Sequence, residues 1–305
     1  MTRRNRPKKT RTPPPLRTSA LLDLYTAADI DRWDALSVTD QTYRDRVYFD
    51  LEAQRTTHRN ALLAALQAVE PTSINLIPDW CRVTDWTWSN TPLSPAGSLK
   101  GIGQRFNIGE TLDRARGQSF PCLYIGQDEE TARIEKFGVA RSAREDRLST
   151  YEFALRSPDA FTTFPLHGHV DEVLDLREMR RLRPFVDIIK RFNLSSDTIA
   201  YAKKHKFPQR TLVTTVVMLR NLLLAPPSWR EEPQNYGIPA PSQIFGRLVR
   251  DAGFEGILYP SQRGGQLCLA LFPENFRDSS SEVHVRGTPP PAASCYKLNK
   301  DNLCL

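Results

Sequence analysis

The stretch FPCLYIGQDEETARIEKFG (residues 120–138) predicts a strand, a turn and a helix in quick succession. The apolar run at 122–125 is typical of a short strand, and Gly126 provides the turn. Asp128 is a suitable N-cap, and the closing glycine is a natural helix end. The helix carries Glu135 at a position where amphipathic packing does not require a carboxylate. The segment therefore predicts both strands and helices in this chain and leaves the function of that charge to be explained.

The composition is that of a globular chain. With 305 residues and 40% hydrophobic content, the chain is long and apolar enough to bury a core. No apolar run approaches the roughly 20 residues of a membrane span, and no apolar segment follows the basic N-terminus. We therefore expect a cytoplasmic protein with no membrane partner.

The positive charge is concentrated in one segment. The net charge is +7, but residues 1–18 contain seven Lys and Arg and no Asp or Glu, which leaves 35 basic and 35 acidic residues in the body. Residues 1–19 are Pro-rich and poor in apolar side chains, so they predict a disordered tail. This tail is either a solubilising arm, the favoured interpretation, or a weak contact for nucleic acid.

Three further regions follow the tail. Residues 20–79 predict a helical N-terminal extension, because apolar side chains recur at helical intervals until Pro71 ends the run. Residues 80–277 form the main domain, with a strand expected at 151–155 and helices within 171–224. Residues 278–305 are rich in Ser, Pro and Asn and predict a loose C-terminal tail.

The last third of the main domain has the clearest pattern. The segment PSQIFGRLVRDAG (residues 241–253) predicts an amphipathic helix with Ser242 as its cap. GILYP and QLCLALF predict two strands of a hairpin, with Ser261 at its mouth. The sequence thus places a polar side chain where a regular element ends.

Metal and disulfide chemistry are not favoured by the sequence. The five cysteines have no CxxC spacing, so buried free thiols explain them best. His167 and His169 in HGH could bind a metal, but no acidic or thiol partner lies at ligand spacing. We expect neither a metal nor a resident cofactor.

Three segments place polar side chains at the ends of regular elements. They are GIGQRFN with Arg105, LYIGQDEETARIE with Tyr124 and Glu135, and LYPSQRGG with Ser261. Sites often form at such ends on a rigid scaffold. Taken singly, each residue has an ordinary explanation as a surface arginine, a solvated helix charge or a turn serine.

Taken together and in this order, the three segments resemble the RES domain family, which is named for its Arg, Glu and Ser. The resemblance covers roughly residues 80–276, and it assigns the three positions to Arg105, Glu135 and Ser261. It implies an ADP-ribosyltransferase-like α+β fold, with mixed or antiparallel sheets and flanking helices. It further implies NAD as substrate, phosphate as a possible co-substrate, and an Xre-type antitoxin as partner of a bacterial toxin.

The residue types fit cleavage of the nicotinamide–ribose bond. A carboxylate such as Glu135 can stabilise the oxocarbenium-like centre on the ribose. Arg105 can bind the pyrophosphate with planar donors, and Tyr124 can stack on the nicotinamide. No His or Lys lies at a spacing that would make Ser261 a nucleophile, so it is predicted to position substrate.

Several alternatives remain open at this point. Phe106 either walls the pocket or packs in the core, and Asn107 is predicted to contact substrate beside it. Glu130 is a competing carboxylate, but the family spacing favours Glu135. The acceptor is water, phosphate or a protein, the last giving a mono-ADP-ribosyltransferase. A non-catalytic module that binds nucleic acid through the basic tail is the alternative of another class.

Overall fold

The computed structural model describes residues 27–112, 118–137, 161–224, 228–262, 265–289 and 291–305. The predicted tail at 1–19 and the predicted strand at 151–155 lie outside these residues. The helices are α1 (Ala27–Thr57), α2 (Arg59–Gln67), α3 (Glu129–Phe137), α4 (Arg183–Ile189), α5 (Ser196–His205), α6 (Val216–Leu224), α7 (Ser228–Tyr236) and α8 (Pro241–Asp251). The strands are β1 (Thr72–Asn75), β2 (Cys81–Asp85), β3 (Gly103–Gln104), β4 (Asn107–Ile108), β5 (Leu123–Gly126), β6 (Phe161–Asp175), β7 (Gly256–Pro260), β8 (Leu267–Leu271), β9 (Glu282–Val285) and β10 (Lys297–Leu298).

One sheet organises the molecule. Its strand order is β10-β9-β6-β2-β5-β8-β7, with β1 also paired to β6. The pairings are antiparallel, except that β7 runs parallel to the far end of β6. Because β6 pairs with both β2 and β7, the strands β6, β2, β5, β8 and β7 form a closed ring of pairings. The α+β architecture, with helices flanking a mostly antiparallel sheet, agrees with the sequence prediction.

Alternation along the strands divides the core between the two faces of the sheet. On β8, Cys268 and Ala270 lie in a cluster with buried side chains of α2, α4, α6 and α8. Leu269 and Leu271 face the other way and pack with a second cluster that includes Trp80. This period-2 pattern lets one strand contribute to two hydrophobic layers. The site residues described below belong to the helix-covered face.

The described residues of the N-terminal extension, which begin at 27, form the helices α1 and α2 as far as Gln67. Leu62 and Leu66 of α2 are fully buried in the helix-covered cluster. Glu52 of α1 forms a salt bridge of 3.0 Å with Arg247 of α8. The prediction was wrong at the end of the extension, where Thr72–Asn75 forms β1 and pairs with β6. The extension is therefore packed against the main domain.

The C-terminal segment is not loose, which corrects the prediction for 278–305. β9 pairs with β6, and β10 pairs with β9. Val283 is fully buried and Val285 nearly so, both against the second cluster. Two alternating valines are enough to bury one side of a short strand on an existing sheet. The surrounding Ser, Pro and Asn content concealed this pattern.

The remaining local predictions can be compared directly. The helix at 241–253 is confirmed as α8, but Ser242 lies inside it, and the N-cap is Ala240. The thiols are free, and all are buried except that of Cys295, which is partly exposed. Burial is the main cause that raises the pKa of the Cys81 thiol to about 12. Among the described helices, none combines the length and apolarity needed to cross a membrane.

Candidate functional site

Glu135 meets Ser261 at the junction of α3 and the β7–β8 hairpin. The hydroxyl of Ser261 donates a hydrogen bond to Oε1 of Glu135 at 2.6 Å, and both side chains are half-buried. Asp128 caps α3 as predicted, because its Oδ1 accepts a hydrogen bond from the Thr131 amide at 2.6 Å. Two of the residues singled out in the sequence, Ser261 and Glu135, are thus in direct contact.

This contact is fixed by bonds between α3 and the hairpin. Oγ1 of Thr131 accepts a hydrogen bond from the Gln266 amide at 2.8 Å. Across the mouth of the hairpin, the Ser261 amide donates to the Gln266 carbonyl at 3.0 Å. Thr131 and Glu135 are four residues apart and share one face of the helix. The face that anchors the hairpin turn therefore also presents the carboxylate to Ser261.

Gly126 allows α3 to begin close to the sheet. It is the last residue of β5, and an added Cβ there would lie 2.6 Å from the amide nitrogen of Ala132. Any side chain at this position would push the helix away from the strand. The glycine predicted to turn the chain therefore also sets the height of Glu135 above the sheet.

Arg105 and Phe106 form the turn between β3 and β4, since Gln104 pairs directly with Asn107. Only 6% of Arg105 is exposed. Its Nη1 donates a hydrogen bond of 3.2 Å to the carbonyl of Leu223 in the last turn of α6. A guanidinium is favourable there because helix C-terminal carbonyls carry partial negative charge.

Tyr124 links β5 to this arginine hairpin, residues 103–108. Its hydroxyl accepts a hydrogen bond from the Phe106 amide at 2.9 Å and donates one to Oδ1 of Asn107 at 3.0 Å. Burial is the main cause that raises the pKa of Tyr124 well above its ordinary value. The phenol therefore remains neutral and can serve as a donor, while its half-buried ring lies beside the hairpin.

Phe106 and Asn107 lie deeper than predicted. Both have no exposed surface, and the ring of Phe106 packs edge-on against Tyr259 with centroids 5.0 Å apart. The amide of Asn107 donates to the carbonyls of Ser98 and Phe120 at 2.9 and 3.2 Å. Phe106 therefore packs in the core, which was one of its two interpretations, and both residues hold the hairpin in place from below. Their contact with substrate stays a prediction.

Tyr259 connects the two halves of the site electrostatically. This buried phenol lies on β7 opposite Cys268. Its pKa is raised well above the ordinary value, first by burial, then by Cys268 and the Glu135 carboxylate, while Arg105 lowers it. Arg105 and Glu135 thus act with opposite sign on the pKa of one buried side chain.

The HGH histidines belong to another region. His167 stacks on His284 of β9, with ring centroids 5.0 Å apart. Within the described part of the chain, no group of three or more His, Cys, Asp or Glu side chains is arranged to hold a metal ion.

Sequence reasoning missed three residues that build the site. Thr131 and Tyr259 are described above, and Gln243 of α8 contacts the arginine hairpin. Gln243 had a detectable signal, because glutamine at the third position of a helix is typical of a capping box. Thr131 lies inside the quoted segment LYIGQDEETARIE but was not singled out, because its partner lies 135 residues away.

The chain is similar to proteins of one known family. The model of the RES domain matches residues 79–292. No curated protein matches the chain. Among solved structures, the chain is similar to one described as the crystal structure of the M. tuberculosis MbcT-MbcA toxin-antitoxin complex, with 15% identity, a TM-score of 0.41, and coverage of 74% of this chain and 90% of that one. The resemblance predicted from the sequence is confirmed by the family match, which spans more than half of the residues: the chain belongs to the RES domain family.

Proposed function

We propose that this RES domain degrades NAD by cleaving the bond between nicotinamide and ribose. The observation that carries the proposal is the 2.6 Å hydrogen bond from Ser261 to the half-buried carboxylate of Glu135. A hydrogen bond to an ionised acceptor is strong and directional, so it fixes the orientation of the carboxylate. NAD enters as the substrate and not as a resident cofactor.

Glu135 would act on the positive charge that develops during cleavage. As the bond from the anomeric carbon to nitrogen breaks, its electron pair leaves with nicotinamide and the ribose gains oxocarbenium character. A carboxylate held at a fixed angle stabilises this charge more than it stabilises the ground state. An oxygen of water or phosphate then bonds to the anomeric carbon, and water loses its proton to solvent.

Arg105 would bind the pyrophosphate of the substrate. Its guanidinium is almost covered and donates to the Leu223 carbonyl. Hydrogen bonds from arginine to phosphate oxygens are charge-assisted and therefore stronger than those to a neutral carbonyl. Binding would exchange the carbonyl partner for phosphate oxygens, and the half-buried ring of Tyr124 would provide the surface for the nicotinamide.

Loss of NAD in the host cell would arrest growth. We infer from the family that the protein acts as a toxin and that an Xre-type antitoxin restrains it. In bacteria, inducible expression of the chain should lower the NAD content, whereas the Glu135→Ala variant should leave it unchanged.

The reaction itself can be tested with the purified full-length chain. NAD is incubated with and without phosphate, and nicotinamide, ADP-ribose and its phosphate ester are separated by chromatography. Release of nicotinamide supports the proposal, and the second product identifies water or phosphate as the acceptor. Glu135→Gln should lower turnover about 100-fold or more, as for the loss of a group that stabilises transition-state charge.

Glu130→Gln is the matched control, because it neutralises a carboxylate five residues earlier on the same helix. It should retain near-normal turnover. Absence of nicotinamide release both with and without phosphate would overturn the proposal. Radiolabel transferred from NAD to a protein of a cell lysate, without free ADP-ribose, would instead identify a protein ADP-ribosyltransferase.

A further inference from the structure

Gln243 of α8 is bonded to the backbone on both sides of Arg105. Its side-chain nitrogen lies 2.8 Å from the carbonyl oxygen of Ile102 and 3.0 Å from those of Gln104 and Asn107. Gln243 has no exposed surface. The two N–H groups of one buried amide are thus shared among three carbonyl oxygens, two in the arginine hairpin and one immediately before it.

The orientation of this amide is determined by its surroundings. Its Oε1 accepts a hydrogen bond from the Ala240 amide at 3.0 Å, at the start of α8. If oxygen and nitrogen were exchanged, an acceptor would face three carbonyl oxygens. The side chain thus has two separable functions: its oxygen caps the helix, and its nitrogen holds the hairpin.

Gly246 supports the hairpin from the same face of α8. It lies three residues after Gln243, and an added Cβ would collide with the carbonyl oxygen of Phe106. The helix therefore touches the hairpin at its turn and at both of its strands. Two strands of two residues each are too short to hold a hairpin in one conformation by themselves, so its position depends on its neighbours, of which α8 is one and Tyr124 another.

We propose that Gln243 is a positioning residue of the NAD site, which sets the place of the Arg105 guanidinium by fixing the backbone of its hairpin. This inference rests on the proposed function, because Arg105 is assigned there to the pyrophosphate. Gln243 does not touch the substrate. Its effect passes through Arg105 and is expressed mainly in substrate binding.

The discriminating variant is Gln243→Glu. It has nearly the same shape and still accepts the bond from Ala240, but it replaces two N–H donors with an oxygen that carries at most one proton toward the three carbonyl groups. We expect KM for NAD to rise about 10- to 100-fold with a smaller change in kcat, as for the loss of binding shared by ground state and transition state. Gly246→Ala, which displaces the same hairpin by collision, should give the same pattern.

Asn275→Leu is the matched control. Asn275 is also a side-chain amide that donates two hydrogen bonds to carbonyls, those of Arg250 at 2.7 Å and Phe254 at 2.6 Å. It ties down the far end of α8. The control should lose thermal stability and retain its KM for NAD. A change confined to Gln243→Glu and Gly246→Ala separates positioning of the hairpin from general loss of stability.

A double-mutant cycle tests the route of the effect. In the Arg105→Ala background, Gln243→Glu should cause less than a two- to threefold further loss of kcat/KM, because there is no guanidinium left to position. A full additional loss in that background, or a wild-type KM in both single variants, would overturn the proposal.

Hydrogen exchange separates this inference from the proposed function. Amides of residues 103–108 should exchange at least 10-fold faster in Gln243→Glu and unchanged in Asn275→Leu. If the wild-type chain releases no nicotinamide, the proposed function fails, and binding of ADP-ribose measured by calorimetry replaces KM. Unchanged exchange at 103–108 in both α8 variants would refute the positioning by Gln243 even in a chain that cleaves NAD.

Discussion

Replacing Ser261 by alanine removes its hydrogen bond to Glu135, whose contribution can be evaluated from the structure. The bond joins a hydroxyl to a charged carboxylate at 2.6 Å. Hydrogen bonds to charged groups contribute about 1.5–3 kcal/mol. Both side chains are half-buried, so water can replace part of the interaction, and the lower end of the range applies. A loss near 1.4 kcal/mol corresponds to about a tenfold lower kcat.

The assay is the initial rate of nicotinamide release over a range of NAD concentrations. Ser280→Ala is the control, because the Ser280 hydroxyl also donates to a carboxylate, that of Asp171, at 2.8 Å, outside the proposed site. It should leave kcat unchanged. In a Glu135→Gln background, Ser261→Ala should add little, since the charge that it orients is already absent.

Two results would refute this reasoning about Ser261. A kcat equal to that of the wild type would show that the hydrogen bond does not orient Glu135 during turnover. A loss of about four orders of magnitude or more, with burst kinetics lost as well, would identify Ser261 as a nucleophile that forms a covalent intermediate.

Three further predictions concern the frame around the site. Thr131→Val should lower kcat several-fold and speed exchange of the Gln266 amide, which loses its 2.8 Å acceptor; Thr131→Ser should restore both. Glu255→Ala should destabilise the fold by about 2–4 kcal/mol in urea titrations at unchanged turnover per folded molecule, because three donors to its buried Oε2 lose their acceptor. A hydrogen bond from Lys297, the first cause, lowers the pKa of Glu282 from 4.5 to about 2, so its stabilisation is complete above pH 4.5 and is lost as the pH falls toward 2. Urea midpoints at pH 5 and 3 should therefore differ less in Glu282→Gln than in the wild type.

The parts of the fold that the sequence predicted well are specified locally. In residues 120–138, a short apolar run, a glycine and a capping aspartate follow one another. The structure places β5 at Leu123–Gly126 and α3 at Glu129–Phe137, with Asp128 at the cap. Turn and cap chemistry act over three or four residues, so a single sequence contains the information.

The elements that were missed depend on distant partners. β6 runs from Phe161 to Asp175 and pairs with β1, β2, β7 and β9. Its exposure alternates poorly, because different parts of the strand face different neighbours. Because the two halves of β6 have different neighbours, buried and exposed side chains do not alternate with one period along the whole strand. β9 was missed for a related reason, since its two valines are buried only because β9 pairs with β6.

In the site, too, the sequence identified the residues but not their contacts. Arg105, Phe106 and Asn107 are consecutive, and the family motif marked all three as candidates to meet substrate. Packing separates them, because the ring of Phe106 is held against Tyr259 while the guanidinium of Arg105 reaches α6. The motif therefore identified the hairpin, but the direction of each side chain is set by packing against distant elements. The backbone of the hairpin is likewise bonded to α8, through Gln243, which lies more than 130 residues further along the chain.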